Sequence, residues 1–312
     1  GRPVNGDNKV IDFAGGGGTR KLDVITGTGR STAITFDGGL GEYIRATGDV
    51  ELLVGDFFAV KGSLGFERRV QDVTLADGSL VKTQLISIGG SGLDAFVGFG
   101  PYEIQQDGQT IVNPDARGVK ISDVEFGLAL FSSKDAGYTD KRWTALTGVV
   151  GKIDAPIGLP DNVDLDIHTL GIDLNLVNGF SDAASPNKVI DFASMKDSNS
   201  VAGMQIATGT GKALRLMHDG DRGQLVRASG GMDLQLDGFV QASGTMSIER
   251  SDVTFKLAGN GIAPRPSVDT RVLTIGGTGL NAFVGINGPY RSDTNGDGVV
   301  DLSDDTNPSA IG

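Results

Sequence analysis

Apolar and polar residues alternate with a period of two along much of this chain. In VDLDIHTLGIDLNLV (163–177), Val163, Leu165 and Ile167 point one way while Asp164, Asp166 and His168 point the other. The pattern then resumes with Ile172, Leu174 and Leu176. DVELLV (49–54) alternates through Val50, Leu52 and Val54, and MDLQL (232–236) does the same. A strand sends successive side chains to opposite faces, so this alternation predicts strands with one buried face. Asp-Gly at 37–38, 77–78, 219–220 and 237–238, and Asn-Gly at 178–179 and 287–288, punctuate the runs as hairpin turns would. The chain shows no long amphipathic helix; DAGYTDKRWTAL (135–146) is the one stretch whose period stays open. The predicted class is all-β, made of many short antiparallel strands.

The chain also repeats itself. NKVIDFA (8–14) returns at 187–193, ITGTGR (25–30) as ATGTGK (207–212), and GEYIRATG (41–48) as GQLVRASG (223–230). GDFFAVKGSLGFER (55–68) returns as DGFVQASGTMSIER (237–250), and ISIGGSGLDAFVGFGPY (86–102) as LTIGGTGLNAFVGINGPY (273–290). The offset drifts only from 179 (187 − 8) to 188 (290 − 102) residues, so small loop insertions separate two copies of one unit. The first unit spans 1–183 and the second, incomplete, spans 184–312, because 119–180 has no partner before the chain stops. A cut-off repeat is what a piece of a longer tandem array would show; a two-domain protein with a shortened second domain is the alternative. An elongated, solenoid-like sheet stack suits the even strand spacing, with serial β-sandwiches as the other architecture. The start GRPVNGDNK, without an initiator Met or a signal peptide, is expected of a processed product or an excerpt.

Composition narrows the function classes. The net charge is −12 with no basic cluster, which argues against nucleic acid and an anionic membrane surface as partners. The longest apolar runs, such as FGLALF (126–131), are far shorter than a membrane span, so no membrane insertion is expected. There is no Cys, which excludes disulfides, thiolate metal sites and a Cys nucleophile. The 49 glycines and the 6% aromatic content suit turns and thin sheets better than a thick core.

One motif is specific. In DTNGDGVVDLSD (293–304), Asp293, Asn295, Asp297, Asp301 and Asp304 fall at positions 1, 3, 5, 9 and 12 of a twelve-residue loop. Gly298 stands where a sharp turn is needed, and Val299 at position 7 offers its backbone carbonyl. Calcium takes six to eight hard oxygens at flexible geometry, and this spacing supplies them, so Ca²⁺ is the expected cofactor. The loop resembles those of dockerins and, less closely, thrombospondin type 3 repeats. A dockerin would continue into a helix, which Pro308 would stop, and Asp304 replaces the bidentate Glu of an EF-hand. The first copy has EIQQDGQTIVNPDARG in this place and lacks most of the ligands.

GGSGLDAFV (89–97) fits the calcium-binding nonapeptide of RTX proteins, while GGTGLNAFV (276–284) has Asn281 in place of the acid. Such sites need consecutive nonapeptides, so each reads as a Gly turn leading into a strand. Gly89, Gly90, Gly92, Gly276, Gly277 and Gly279 are expected to include positions of positive φ or close backbone approach.

Signs of catalysis are sparse. GTGKA (209–213) lacks the hydroxyl after Lys212 that a phosphate loop needs, and there is no G-x-S-x-G elbow. His168 shares a strand face with Asp164 and Asp166, which reads as a solvated polar face, with a metal or acid/base cluster as the alternative. Trp143 and Tyr138, beside Lys141 and Arg142, would suit either a sugar platform or the core.

The whole resembles the tandem repeats of giant bacterial surface proteins, adhesin-like and RTX-exported chains. The resemblance implies a non-enzymatic structural or adhesive module, extracellular or at the cell surface, rigidified by calcium. Neighbouring repeats or copies of itself would be its partners, with cell-surface glycans or proteins beside them. A carbohydrate-binding or carbohydrate-cleaving β protein is the alternative, favoured by a groove lined with paired carboxylates.

Overall fold

The computed structural model describes residues 10–13, 21–38, 41–54, 58–157, 162–180, 185–197, 200–258, 267–297 and 299–312. Its strands are β1 (Leu22–Gly27), β2 (Arg30–Ile34), β3 (Ile44–Val54), β4 (Phe58–Thr74), β5 (Leu80–Phe99), β6 (Glu103–Gln106), β7 (Gln109–Val112) and β8 (Arg117–Ser133). They continue with β9 (Arg142–Ile157), β10 (Val163–Asn178), β11 (Met204–Gly209), β12 (Lys212–Leu216), β13 (Leu225–Leu236), β14 (Val240–Lys256) and β15 (Ser267–Val284). Among the described residues the protein is all-β, broken only by short 3-10 turns. The open stretch 135–146 is one such turn, Ala136–Tyr138, followed by the start of β9.

Nine strands form one antiparallel sheet in the order β15-β14-β13-β10-β9-β8-β5-β4-β3, and β1–β2, β6–β7 and β11–β12 are separate hairpins. The expectation of short strands is corrected: β5 has 20 residues, and β4 and β8 have 17 each. The expected breaks at glycine are bulges that the strands run through. Gly89, Gly90 and Gly92 lie inside β5, and only Gly92 there has positive φ, at 55°. The pairing of β4 with β5 slips between Lys61 and Ser63, opposite Gly92 and Leu93. Further slips at Asp123 and Thr169, both with positive φ, carry the irregularity across β8 and β10. A bulge adds one residue and flips the phase of alternation. Hence Val163, Leu165 and Ile167 alternate on odd numbers, whereas Ile172, Leu174 and Leu176 alternate on even ones.

The two sheet faces follow from the register. One cross-strand row runs Leu85–Phe131–Trp143–Val177 and is buried. The neighbouring row runs Phe66–Ile88–Leu128–Leu146–Leu174–Val226 on the opposite, partly open face. The buried row meets Val189, Ile190, Phe192, Met204, Ile206 and Leu216, which come from the opening segment of the second copy. The main core therefore lies between the sheet of the first copy and hairpin β11–β12 of the second.

The duplicated blocks adopt the same pairings. β1–β2 and β11–β12 are both hairpins, and β3-β4-β5 and β13-β14-β15 both run in sequence order at opposite ends of the sheet. Gly62 and Gly92 mark the bulge in the first block, and Gly244 (φ 141°) and Gly279 (φ 60°) mark it in the second. Asp12 Oδ1 accepts from Gly38 N at 3.0 Å, and Asp191 Oδ1 accepts from Gly220 N at 3.2 Å. Gly89 (with Ala207), Gly90 and Gly277 show close approach and Gly92 and Gly279 positive φ, whereas Gly276 meets open space.

Candidate functional site

The acidic loop sits in a frame that the fold builds twice. Asn113 N donates to Tyr102 O and its Nδ2 donates to Pro101 O, each within 2.9 Å; its Oδ1 accepts from Asp115 N. Asn307 repeats this with Tyr290 O (2.8 Å), Pro289 O (3.2 Å) and Ser309 N (2.9 Å). Phe96 packs on Tyr102 and Phe283 on Tyr290, with ring centroids 5.3 and 5.6 Å apart. Both frames close the same gap, after G-P-Y and before N-P-x-A. In the first copy the gap holds hairpin β6–β7; in the second it holds 291–306, the acidic loop. This clamp was missed in the sequence because the two enclosed segments differ in length; the signal was N-P-x-A following G-P-Y in both copies.

Within the loop, the predicted ligands point at the loop's own backbone. Asp293 Oδ1 accepts from Gly296 N (2.7 Å), Asn295 Oδ1 from Asp297 N (2.9 Å), and Asp297 Oδ1 from Val299 N (2.9 Å). Asp301 Oδ1 accepts from the Ser303 hydroxyl (2.6 Å) and from its N–H (2.7 Å). Those bonds hold the Asp301 carboxyl below its ordinary pKa. Asp304, 4% exposed, accepts from Thr294 N on one oxygen and from Asp301 N on the other, at 2.9 and 2.8 Å. The Asp301 and Thr294 N–H groups likewise keep its carboxyl low. Asp304 thus staples the beginning of the loop to its end. Gly298 lies outside the described residues.

The donor set is all hard oxygen and suits calcium in kind. As placed, the side chains are spread around the loop, and among the described residues no three acidic groups form a metal-holding cluster. Drawing Asp293, Asn295, Asp297, Asp301 and Asp304, with the Val299 carbonyl, onto one ion requires rotating carboxylates off their backbone donors. Each such bond is worth about 1 kcal/mol net, so the full rearrangement costs several kcal/mol, which the ion's oxygen contacts must offset.

The loop is fastened to the sheet. Gln241 and Arg291 exchange bonds, with Arg291 N donating to Gln241 Oε1 (3.0 Å) and Gln241 Nε2 to Arg291 O (2.7 Å). Val300 N donates to Asp233 Oδ2 at 3.4 Å. Between loop and sheet lies a cleft lined by Asp164, Asp166, Asp233, Asp293, Gln241 and Arg291. Burial pushes the Asp233 carboxyl above its ordinary pKa, with Asp166 and Asp293 adding to the rise. His168, read as part of a solvated polar face, places Nδ1 3.7 Å from Asp233 Oδ2 and is half-buried.

The remaining candidates are structural. Trp143 is 1% exposed and its Nε1 donates to Lys188 O at 2.6 Å, so it belongs to the core. GTGKA is the tight turn of hairpin β11–β12, with Gly211 at φ 71°. GGSGLDAFV and GGTGLNAFV lie within β5 and β15 and supply bulges in place of the expected turns. His218 lies under the hairpin, its Nε2 3.1 Å from Leu146 O and 3.2 Å from Thr147 Oγ1. Among the described residues no helix is long and apolar enough to cross a membrane. Comparison with protein-family models, with curated proteins and with solved structures gives no match.

Proposed function

We propose that this chain is a non-enzymatic structural and adhesive repeat module of a large extracellular or cell-surface protein of bacterial type, stiffened by calcium. The observation that carries the reading is the shared core. Hairpin β11–β12 of the second copy closes the face of β4, β5 and β8 in the first, and β10 pairs directly with β13. Neither copy completes this core alone, which is how repeat architectures transmit stiffness from unit to unit. The acidic loop supports the calcium part: it lies where the second copy departs from the first, and it is tied at both ends. An ion bound at tenfold its Kd would add about 1.4 kcal/mol, enough to order residues 290–312 and too little to hold the sheet. Calorimetric titration of the protein and of Asp297→Ala tests this; equal calcium uptake by both removes the site. Pulling the chain by its ends tests the module. One cooperative rupture is expected, and two independent events would refute it.

A second reading rests on the cleft. Asp233, raised by burial, stands beside Asp164, Asp166 and Asp293, the unequal carboxylate environment that glycoside cleavage exploits. Release of reducing ends from soluble polysaccharides, abolished in Asp233→Asn, would install this reading in place of the first.

A further inference from the structure

The joint between the copies is made once inside the chain, and each of its halves occurs a second time, uncovered. In the closed joint, Ala207 O lies 2.3 Å from where a Cβ on Gly65 or on Gly89 would stand. Ser63 Cβ lies 2.7 Å from where one on Gly209 would stand, and Ile206 is fully buried beneath Gly127. Val73, Leu75 and Val81, all buried, form the bed at the ends of β4 and β5, where the segment leading into the hairpin lies on them: Leu75 pairs with Ile190 and Ala76 N donates to Val189 O at 3.0 Å. The joint works through missing side chains on both partners.

Hairpin β1–β2 carries the same pattern, with Val24 for Ile206, Ile25 for Ala207 and Gly27 for Gly209. Here Val24 is 41% and Ile25 83% exposed. The bed recurs at β14 and β15, where Phe255, Leu257, Val268 and Gly276 stand for Val73, Leu75, Val81 and Gly89. Phe255 is 48% exposed, and Leu257 and Val268 are similarly open. Among the described residues nothing lies within 4 Å of a Cβ built on Gly27 or Gly276. A glycine packed in one copy and facing empty space in the other marks a contact whose partner is elsewhere. Exposed apolar surface of this extent marks an interaction site.

We infer that these two open halves bind each other between copies of the chain. Hairpin β1–β2 of one copy seats on the β14–β15 face of another, as β11–β12 seats on β4–β5. The contact is heterologous, so it propagates head to tail and does not close into a dimer. It rests on the repeat-module reading and names that module's partner as a second copy of itself. One feature makes it weaker than the internal joint: Ser247 stands where Gly65 admits the Ala207 carbonyl.

Sedimentation velocity from about 10 µM to about 1 mM, the span of a weak interface, tests the inference. The native chain should form a concentration-dependent series of oligomers, and Ser247→Gly should shift it to lower concentration. Ile25→Asp and Phe255→Asp sit at exposed positions, so both variants should keep the native circular dichroism and remain monomeric. Mixed one to one, they should form a dimer that grows no further, because each retains the half the other has lost. A native chain that stays monomeric throughout overturns the inference, as does a mixture that stays monomeric while the native chain associates. Neither result touches the internal joint. That joint is tested by Ile206→Asp, which should unfold the chain, and a stable, native-like Ile206→Asp would instead remove the module reading.

Discussion

Replacing Ile206 and Val24 separately by alanine weighs the internal joint against its open counterpart. The two residues occupy the same position of the repeated hairpin, β11 in one copy and β1 in the other. Ile206 is fully buried in the core with Leu85, Phe131, Trp143 and Leu216. Ile206→Ala removes three carbons, about 2.4 kcal/mol at about 0.8 kcal/mol per buried methylene. The cavity left under a sheet that cannot collapse adds to this, placing the cost at about 3–4 kcal/mol, inside the range seen for such truncations. Val24→Ala removes two carbons from a site that is 41% exposed and should change stability by no more than about 0.5 kcal/mol. Urea unfolding followed by far-UV circular dichroism reads both as shifts of the midpoint at constant slope. Equal costs for the two variants, or a cost below about 1 kcal/mol for Ile206→Ala, would refute the account of the core.

The same pairing of copies gives a second comparison: Gly89→Ala should cost more than about 2 kcal/mol by driving a Cβ into Ala207 O, while Gly276→Ala should be nearly neutral, as thermal melting would show. Burial keeps the His218 imidazole below its ordinary pKa, so the folded chain binds fewer protons there than the unfolded one, with Asp173 opposing and Arg227 reinforcing the shift. Its contribution to stability is present above about pH 6.5 and is lost as pH falls below it. Melting temperatures of the native chain should therefore drop between about pH 7 and pH 5.5 more steeply than those of His218→Phe, which carries the residue the first copy has at Phe36. Asn307→Ala should free the acidic loop at a cost of about 1–2 kcal/mol, seen as faster amide exchange confined to residues 287–312; uniform acceleration across the sheet would contradict the local role given to the clamp.

Strand class was legible because it rests on local pattern. Alternation through Leu165, Ile167, Leu174 and Leu176 needs no partner to be read; of the Asp-Gly and Asn-Gly pairs, 77–78 and 237–238 turn the β4–β5 and β13–β14 hairpins, while 37–38, 219–220 and 287–288 lie in longer connections. Strand length was not legible, because Gly89, Gly90 and Gly92 read as a turn when only pairing across strands makes the segment a bulge. Nor was the side on which the hairpin packs. β1 and β11 have the same polarity pattern, yet β1 is exposed along its whole length and β11 almost wholly buried. The difference lies entirely in what stands opposite, which the segment's own residues do not encode. The attachment of the acidic loop through Asp233, Gln241 and Arg291 was not legible, because it spans elements far apart in sequence.

The clamp explains why the two copies diverge where they do. Between Tyr102 and Asn113 lie ten residues (103–112), and between Tyr290 and Asn307 sixteen (291–306). For a flexible loop, closing the longer one costs about 1.5RT ln(1.6), or about 0.4 kcal/mol, more than closing the shorter. That is less than one hydrogen bond of the clamp, which is worth about 0.5–1.5 kcal/mol, and Asn307 makes several. A frame that already fixes both ends of the chain therefore accepts almost any insertion without loss of fold. A change of equal length inside β5 or β15 would shift the register and turn every buried side chain beyond it to the wrong face. A difference in length between the copies is thus energetically cheap in the segment behind G-P-Y. The β6–β7 hairpin and the acidic loop are two occupants of one socket.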